Sequence, residues 1–116
     1  MMSENKTYHV DFRIWFYTGN DKFLGKGRIQ LLELIHKTGS IQNAAKEMKM
    51  SYRQAWQMTK EINERANTPL IKKHLGGKTG GGTTLTEAGK KAIQTFHEFE
   101  KKVKEFVLQE SNKLDL

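Results

Sequence analysis

"TGSIQNAAKEMKMSYRQAWQMTKEINE", residues 38–64, decides the fold, because it carries the start signals of two helices that lie only a short distance apart. Ser40 can cap a helix that begins at residue 41, and Ser51 with Gln54 forms a capping box ahead of a helix over residues 52–66. The first helix has a small, apolar face at i, i+3, i+4 and i+7: Ile41, Ala44, Ala45 and Met48. Such closely joined helices predict a helix-turn-helix, in which the second helix enters the major groove of DNA.

Upstream of this segment, the sequence predicts a strand, a loop and a buried helix. Residues 8–17 alternate between two faces, which is typical of a half-buried strand. Its inward face should hold four apolar side chains: Val10, Phe12, Ile14 and Phe16. Residues 18–27 are rich in turn residues and should form a loop. Apolar residues cover more than half the circumference of a helix over residues 28–37, so that helix should be mostly buried and end at Gly39.

Downstream, the segment HLGGKTGGGTTL, residues 74–85, holds five of the ten glycines. The GKT triplet at residues 77–79 is similar to the end of a nucleotide-binding P-loop. A P-loop also needs a glycine five positions earlier, where this chain has Lys72, and it must lead directly into a helix. Because the next helix signal comes only at Thr86, a nucleotide-binding enzyme is the weaker interpretation.

A hairpin with a glycine-rich tip explains this segment better. Short strand-like pieces, residues 70–74 and 83–85, flank the glycines, and positive side chains surround the tip. Such a hairpin suits a wing that lies along a DNA backbone, although a solvated loop with ordinary surface lysines is the alternative. Thr86 should cap a last helix that runs from residue 87 to about residue 109.

These elements predict a mainly α fold with a small β component. It is a winged helix-turn-helix with an N-terminal strand and a long C-terminal helix. The expected organisation is a disordered tail over residues 1–7, a DNA-binding domain over residues 8–86, and a helical dimerisation element over residues 87–116. A length of 116 residues suits one such domain.

Composition limits the partners. The net charge of +7 and the sequence pI of about 9.7 favour an anionic partner such as nucleic acid. The chain has no cysteine, which excludes disulfides and thiolate metal sites. The sequence also lacks an apolar run of the roughly 20 residues that span a bilayer and the apolar centre of a signal peptide. We therefore expect a cytoplasmic protein with no membrane partner.

The sequence contains no set of residues with the types and spacing of a catalytic or metal-binding site. The four histidines are scattered without metal-ligand spacing. Carboxylates of the last helix alternate with lysines at the spacing of surface ion pairs. We therefore expect neither an enzyme nor a cofactor.

Candidate DNA contacts lie at the exposed start of the helix over residues 52–66. Arginine can bind guanine, and glutamine adenine, through two hydrogen bonds each, so we expect base contacts from Arg53, Gln54 and Gln57. For the DNA backbone, the expected contacts are Ser40, Ser51, Tyr52, Lys60, Lys72, Lys73 and Lys78. The alternative is a solvated helix face. Trp56 could be a core residue or could lie at the edge with its N–H directed to a phosphate.

The last helix carries an apolar seam with coiled-coil spacing. Its members are Gly89, Ala92, Phe96, Phe99, Val103 and Phe106. We expect a homodimer interface at Phe96, Phe99, Val103 and Phe106, aided by Trp15 and Tyr17 of the strand. The alternative is that this helix folds back over its own domain. A two-fold dimer would bind an inverted repeat with half-sites about 34 Å apart.

The stretch from residue 25 to residue 96 resembles the N-terminal DNA-binding domain of the ModE-type molybdate-responsive regulators and, more distantly, the LysR-type winged helix. The most specific parts lie at residues 39–41, 51–52 with 55–56, 76–82 and 85–89. The resemblance implies a bacterial transcriptional regulator that recognises a specific DNA sequence. The alternative function is a module that binds nucleic acid without specificity, or that binds a partner protein.

Two departures from the ModE-type pattern limit what the resemblance implies. The turn between the paired helices has Lys49 and Met50 where the family often has a glycine. The molybdate-binding domains of full-length relatives follow the last helix, whereas this sequence ends at Leu116. The resemblance therefore implies no oxyanion sensing by these residues, although a separate partner protein could carry that role.

Overall fold

The computed structural model describes residues 5–75 and 82–116. In chain order its elements are β1 (Trp15–Thr18), β2 (Asp21–Gly25), α1 (Lys26–Thr38), α2 (Ile41–Glu47), α3 (Tyr52–Arg65), β3 (Ile71–His74), β4 (Gly82–Leu85) and α4 (Glu87–Ser111). β1 pairs with β2 and β3 pairs with β4, each pair antiparallel. This architecture confirms the mainly α winged helix-turn-helix that the sequence predicts.

Helix α1 is the centre of the core, as its apolar pattern predicts. Leu31, Leu32 and Ile35 are completely buried, and β2, α2, α3, both strands of the second hairpin and α4 contribute core side chains around them. Gly39 ends α1 in the left-handed conformation, with φ of 71°, and its N–H donates to the carbonyl of Ile35.

The helix-turn-helix forms at the residues that the sequence indicates. The Ser40 hydroxyl accepts from the N–H of Asn43, and the Ser51 hydroxyl accepts from the N–H of Gln54, so both caps are confirmed. In the turn, Lys49 takes the left-handed conformation with φ of 56°. The chain therefore keeps the backbone geometry that glycine favours without having glycine there.

The N-terminal strand is much shorter than predicted, and this is a correction. Only residues 15–18 form β1, and the segment expected to be a loop contains β2, which pairs with it across a bulge at Phe16 and Tyr17. β2 ends at residue 25 because α1 begins at residue 26, so residues 8–14 have no strand beside them in the described chain. Val10 and Phe12 are exposed, contrary to the alternation that predicted them inside.

The second hairpin, β3 with β4, is the predicted wing, and it is anchored at its base. The N–H of Thr83 donates to the carbonyl of Gly39, which joins β4 to the end of α1. The Asn63 side chain on α3 accepts from the N–H groups of Leu70 and Ile71 and donates to the carbonyl of Ile71. Residues 76–81 of the tip, including Lys78, lie outside the described residues.

The last helix is capped by Thr86, whose hydroxyl accepts from the N–H of Gly89. Its first half packs on the core, with the ring of Phe96 5.2 Å from that of Phe16. Phe96 is only 1% exposed, so its assignment to an intermolecular interface is wrong; it belongs to the core of its own chain. Further along, Phe99 and Phe106 are 50% and 64% exposed.

The C-terminal half of α4 extends away from the core, and the molecule measures 76 × 28 × 22 Å. The hydroxyl of Tyr8 donates to the carbonyl of Leu116 at 2.9 Å, which places the N-terminal segment beside the far end of the chain. The helix is continuous from residue 87 to residue 111, and its first half lies over its own domain. Among the described residues, no helix is both long and apolar enough to cross a membrane.

Candidate nucleic-acid interface

Helix α3 separates into a buried face and an exposed face. Ala55, Thr59 and Ile62 are buried against the core. The opposite side of the first two turns exposes the side chains that the sequence singled out: Tyr52, Arg53, Gln54 and Gln57. The core contacts thus fix the rotation of α3 about its axis and place the predicted base contacts in solvent.

A relay of charged side chains, Glu61 with Arg28 and Arg65, holds the side chain of Gln57 in place. Its side-chain amide donates to the Glu61 carboxylate at 3.3 Å. Glu61 in turn binds Arg28 of α1 at 2.6 Å and lies 3.6 Å from Arg65. This orientation leaves the Gln57 side-chain carbonyl free to accept a hydrogen bond, and an amide N–H that remains can donate, which is the pattern that adenine requires.

The relay also controls the charge on Glu61. Burial alone would raise the pKa of this carboxyl group, but hydrogen bonds from Gln57 and Arg28, with the positive charges of Arg28 and Arg65, lower it overall. Glu61 therefore stays ionised at neutral pH. Sequence reasoning missed this relay; the four-residue spacing of Gln57, Glu61 and Arg65 could have indicated its helical part, whereas nothing local points to Arg28.

Trp56 lies at the edge of the interface. Trp56 is 37% exposed, so it is not a core residue. The ammonium group of Lys73, on β3 of the wing, lies 4.5 Å from the ring centroid, and that of Lys60 lies 5.7 Å from it. Burial lowers the pKa of Lys73. Trp56 thereby joins the wing to the exposed face of α3.

A crevice of about 260 Å³ lies between the helix-turn-helix and the wing. Its walls include Ser40, Tyr52, Lys73, His74 and Thr83, which come from both motifs. The structure thus brings together three of the residues predicted to bind the DNA backbone, two of them from the helix-turn-helix and one from the wing.

The other predicted backbone contacts are placed less uniformly. The Ser51 hydroxyl is exposed but is already used in capping α3. Lys60 lies 4.0 Å from the carboxylate of Glu64, on the same helix. Lys72 instead borders a shallow groove with Asn63 and Glu87. Lys78 lies outside the described residues.

Within the described residues, no group of three or more histidine and carboxylate side chains could hold a metal ion. His97 contacts Glu33 at 3.4 Å and Glu100 at 3.8 Å, on the side of the domain formed by α1 and α4. The contact with Glu33 joins α4 to α1, whereas Glu100 lies on α4 itself, and both are surface contacts.

Residues 27–90 match the model of the bacterial regulatory helix-turn-helix proteins of the lysR family. The chain belongs to this family. The match begins in α1, includes α2, α3 and both strands of the wing, and ends in the first turn of α4. The LysR-type region therefore contains every residue that the sequence assigned to DNA, and it ends before Phe99, Val103 and Phe106.

Individual proteins that are similar to this chain support the resemblance to ModE-type regulators that the sequence shows. The transcriptional regulator ModE of Haemophilus influenzae is 39% identical over 74 residues, which cover 64% of this chain and 29% of that protein. The molybdenum transport protein ModE of Azotobacter vinelandii is 40% identical over 77 residues, 66% of this chain and 28% of that protein. The DNA-binding transcriptional dual regulator ModE of Escherichia coli is 39% identical over 74 residues.

The resemblance to ModE-type and LysR-type proteins is therefore confirmed for the helix-turn-helix region. The chain spans less than a third of the length of the curated relatives it matches.

Proposed function

We propose that this chain is the double-stranded DNA-binding part of a bacterial transcriptional regulator. The observation that carries the proposal is the arrangement of one surface: the exposed start of α3 lies directly beside the wing, with Lys73 over Trp56 at 4.5 Å. One face thus offers side chains that can read base edges and a cation that can bind phosphate. The net charge of +7 and the LysR-type match support the same function.

In this proposal α3 enters the major groove. Arg53 would bind guanine, and Gln54 and Gln57 would bind adenine, with the relay through Glu61 holding the Gln57 amide in the required orientation. Contacts to the DNA backbone would come from Ser40, Ser51, Tyr52, Lys60, Lys72, Lys73 and Lys78. Such a role would place the protein in the cytoplasm of the bacterial cell, with the chromosome.

We further propose a homodimer through the second half of α4. Phe99 and Phe106 are largely exposed, Val103 lies between them in the seam, and large apolar side chains on one exposed stripe favour association. Trp15 and Tyr17 on β1 are also exposed and could extend this surface. A two-fold dimer would present two α3 helices to successive major grooves, so the DNA site would be an inverted repeat.

The same stripe supports a second candidate function, a module that binds a partner protein and holds nucleic acid only through charge. Such a partner could carry an effector-sensing domain. Salt dependence separates the two functions. Six phosphate contacts give a slope of roughly −5 for the logarithm of the binding constant against that of the salt concentration, whereas apolar association hardly responds.

Selection of bound duplexes from a random pool at about 150 mM salt tests the proposal. Enrichment of an inverted repeat is expected. The variant Arg53→Ala should then relax one position in each half-site, at a cost of about 1–3 kcal/mol. Lys101→Ala is the matched control, since it removes an exposed positive charge from α4 and should leave the selected motif unchanged. A pool with no enriched sequence would refute specific recognition.

Sedimentation tests the dimer separately. We expect two chains per particle at micromolar concentration, and one chain for Phe106→Glu, because the variant places a charge in the most exposed part of the apolar stripe. A wild-type protein that sediments as one chain would refute the dimer and leave the DNA contacts of a single domain to be measured.

A further inference from the structure

Trp56 has a place in the interface that neither base reading nor core packing explains. It projects from the exposed side of α3 between two lysines, with Lys73 of the wing at 4.5 Å and Lys60 of α3 itself at 5.7 Å. A cation over an indole ring is attracted by the electrons of the ring face. The ring therefore connects α3 to the wing on the surface where both would contact DNA.

The two lysines are not equivalent. Lys60 lies 4.0 Å from the Glu64 carboxylate, which partly compensates its charge. Lys73 reaches over the ring from β3 of the wing. It also lines the crevice, together with Tyr52 and His74. Its ammonium group, partly withdrawn from water, is suited to bind an anion that enters this crevice.

The backbone that carries Lys73 is fixed on both sides. Three hydrogen bonds join the Asn63 side chain to Leu70 and Ile71 at the start of the wing. A fourth joins the opposite strand, at Thr83, to the carbonyl of Gly39. The backbone of Lys73 is therefore fixed, and its side chain is held over the indole ring. Because fewer conformations remain to be lost, Lys73 pays a smaller entropy cost on binding a phosphate than a free surface lysine does.

We propose that Trp56 is a positioning residue that presents Lys73 to one phosphodiester of the DNA backbone at the crevice beside Tyr52. This inference rests on the proposed DNA-binding function and deepens it. Trp56 reads no base in this arrangement. It sets where the backbone lies against α3, and so the register in which Arg53 and Gln57 meet the bases.

A double-mutant cycle tests the inference. Binding of wild type, Trp56→Leu, Lys73→Gln and the double variant is measured between about 50 and 200 mM salt, the range in which phosphate contacts dominate the salt dependence. Two duplexes are used, the selected site and a scrambled one of equal length. Either single change should weaken binding about three- to tenfold and reduce the steepness of the salt slope by about 1. Once Lys73 is absent, the loss of Trp56 should cost little more.

Trp56→Phe is the conservative variant. A phenylalanine keeps an aromatic face for the cation, so it should restore most of the affinity and the salt slope that Trp56→Leu loses. The control is Lys22→Gln, because Lys22 also stacks on a tryptophan, Trp15, at 4.7 Å, but lies on the N-terminal hairpin outside the proposed DNA contacts. This variant should leave the salt slope unchanged. If Trp56→Leu does not fold, Trp56→Met replaces it in the cycle, because methionine also lacks an aromatic face and adapts readily to the space of a larger side chain.

The outcomes separate this inference from the proposed function. Binding losses that simply add, or a Trp56→Leu protein with the wild-type salt slope, would overturn the positioning role, because Trp56 would then act independently of Lys73. Equal affinity of wild type for the selected and scrambled duplexes would refute sequence-specific recognition. The positioning role would still be measured in that case, since the scrambled duplex offers the same phosphates.

Discussion

Gly89, in the first turn of α4, lies against the backbone at the base of the wing. A Cβ added there would lie 2.2 Å from the carbonyl oxygen of Leu70, 3.1 Å from its carbonyl carbon and 3.3 Å from the Cβ of Leu85. The same carbonyl oxygen accepts from the N–H of Thr86 at 2.9 Å. The substitution Gly89→Ala therefore places a methyl group where a hydrogen-bonded backbone atom already lies.

The size of the effect follows from these distances. A carbon atom normally approaches a carbonyl oxygen to roughly 3.3 Å, so α4 or the wing must move by about 1 Å. Overpacking of this kind costs about 1–3 kcal/mol, and a weakened hydrogen bond to Leu70 adds about 0.5–1.5 kcal/mol. Alanine gains up to about 1 kcal/mol over glycine inside a helix. We therefore expect Gly89→Ala to lower the free energy of unfolding by about 0.5–4.5 kcal/mol.

Urea unfolding, followed by circular dichroism at fixed protein concentration, measures this change. Gly27→Ala is the matched control, because Gly27 also lies in the first turn of a helix but has no atom within 4 Å of its added Cβ. That variant should be more stable than wild type by up to about 1 kcal/mol. If Gly89→Ala is as stable as wild type, α4 and the Leu70 backbone can move apart without a measurable loss of stability. That result would refute the reasoning.

Three further substitutions are predicted from the structure. Lys49→Gly should stabilise the protein by about 0.5–1 kcal/mol relative to Lys49→Ala in urea unfolding, because φ is 56° there; equal stabilities would contradict this. Glu61→Gln should cost about 1–3 kcal/mol at pH 7 through its bond to Arg28. Because the folded-state pKa of Glu61 is lowered, the deficit should shrink as the pH falls below about 4.5; a deficit independent of pH would exclude the charge as its cause. Phe96→Ala should cost about 3–5 kcal/mol, against less than about 0.5 kcal/mol for Phe106→Ala in a monomeric sample; similar losses would contradict the burial of Phe96.

Local signals account for the parts of the fold that the sequence predicted correctly. Ser40, Ser51 and Thr86 each cap the helix that follows them, because a hydroxyl needs only an N–H three residues away. Gly39 ends α1 for an equally local reason, its positive φ. The exposed face of α3 was predictable too, since the periodicity that buries Ala55 necessarily exposes Arg53.

The N-terminal region shows where such signals fail. Alternation identified β-structure but not its extent, because a strand needs a partner, and the start of α1 limits β2 to residues 21–25. The apolar seam of α4 likewise does not distinguish an intramolecular contact from an intermolecular one. Phe96 and Phe106 occupy the same seam, yet only Phe96 lies within reach of Phe16 and the core.

The sequence by itself determined which residues form helices, where the caps lie and which side of α3 faces outward. These properties depend on neighbours three or four residues apart. Only the tertiary structure decided that Arg28 reaches Glu61 and supports Gln57 across 33 residues of chain, and that Lys73 of the wing lies over Trp56. Contacts of this kind arise from the packing of whole elements against a shared core, and no local pattern encodes the distance between two elements once they are packed.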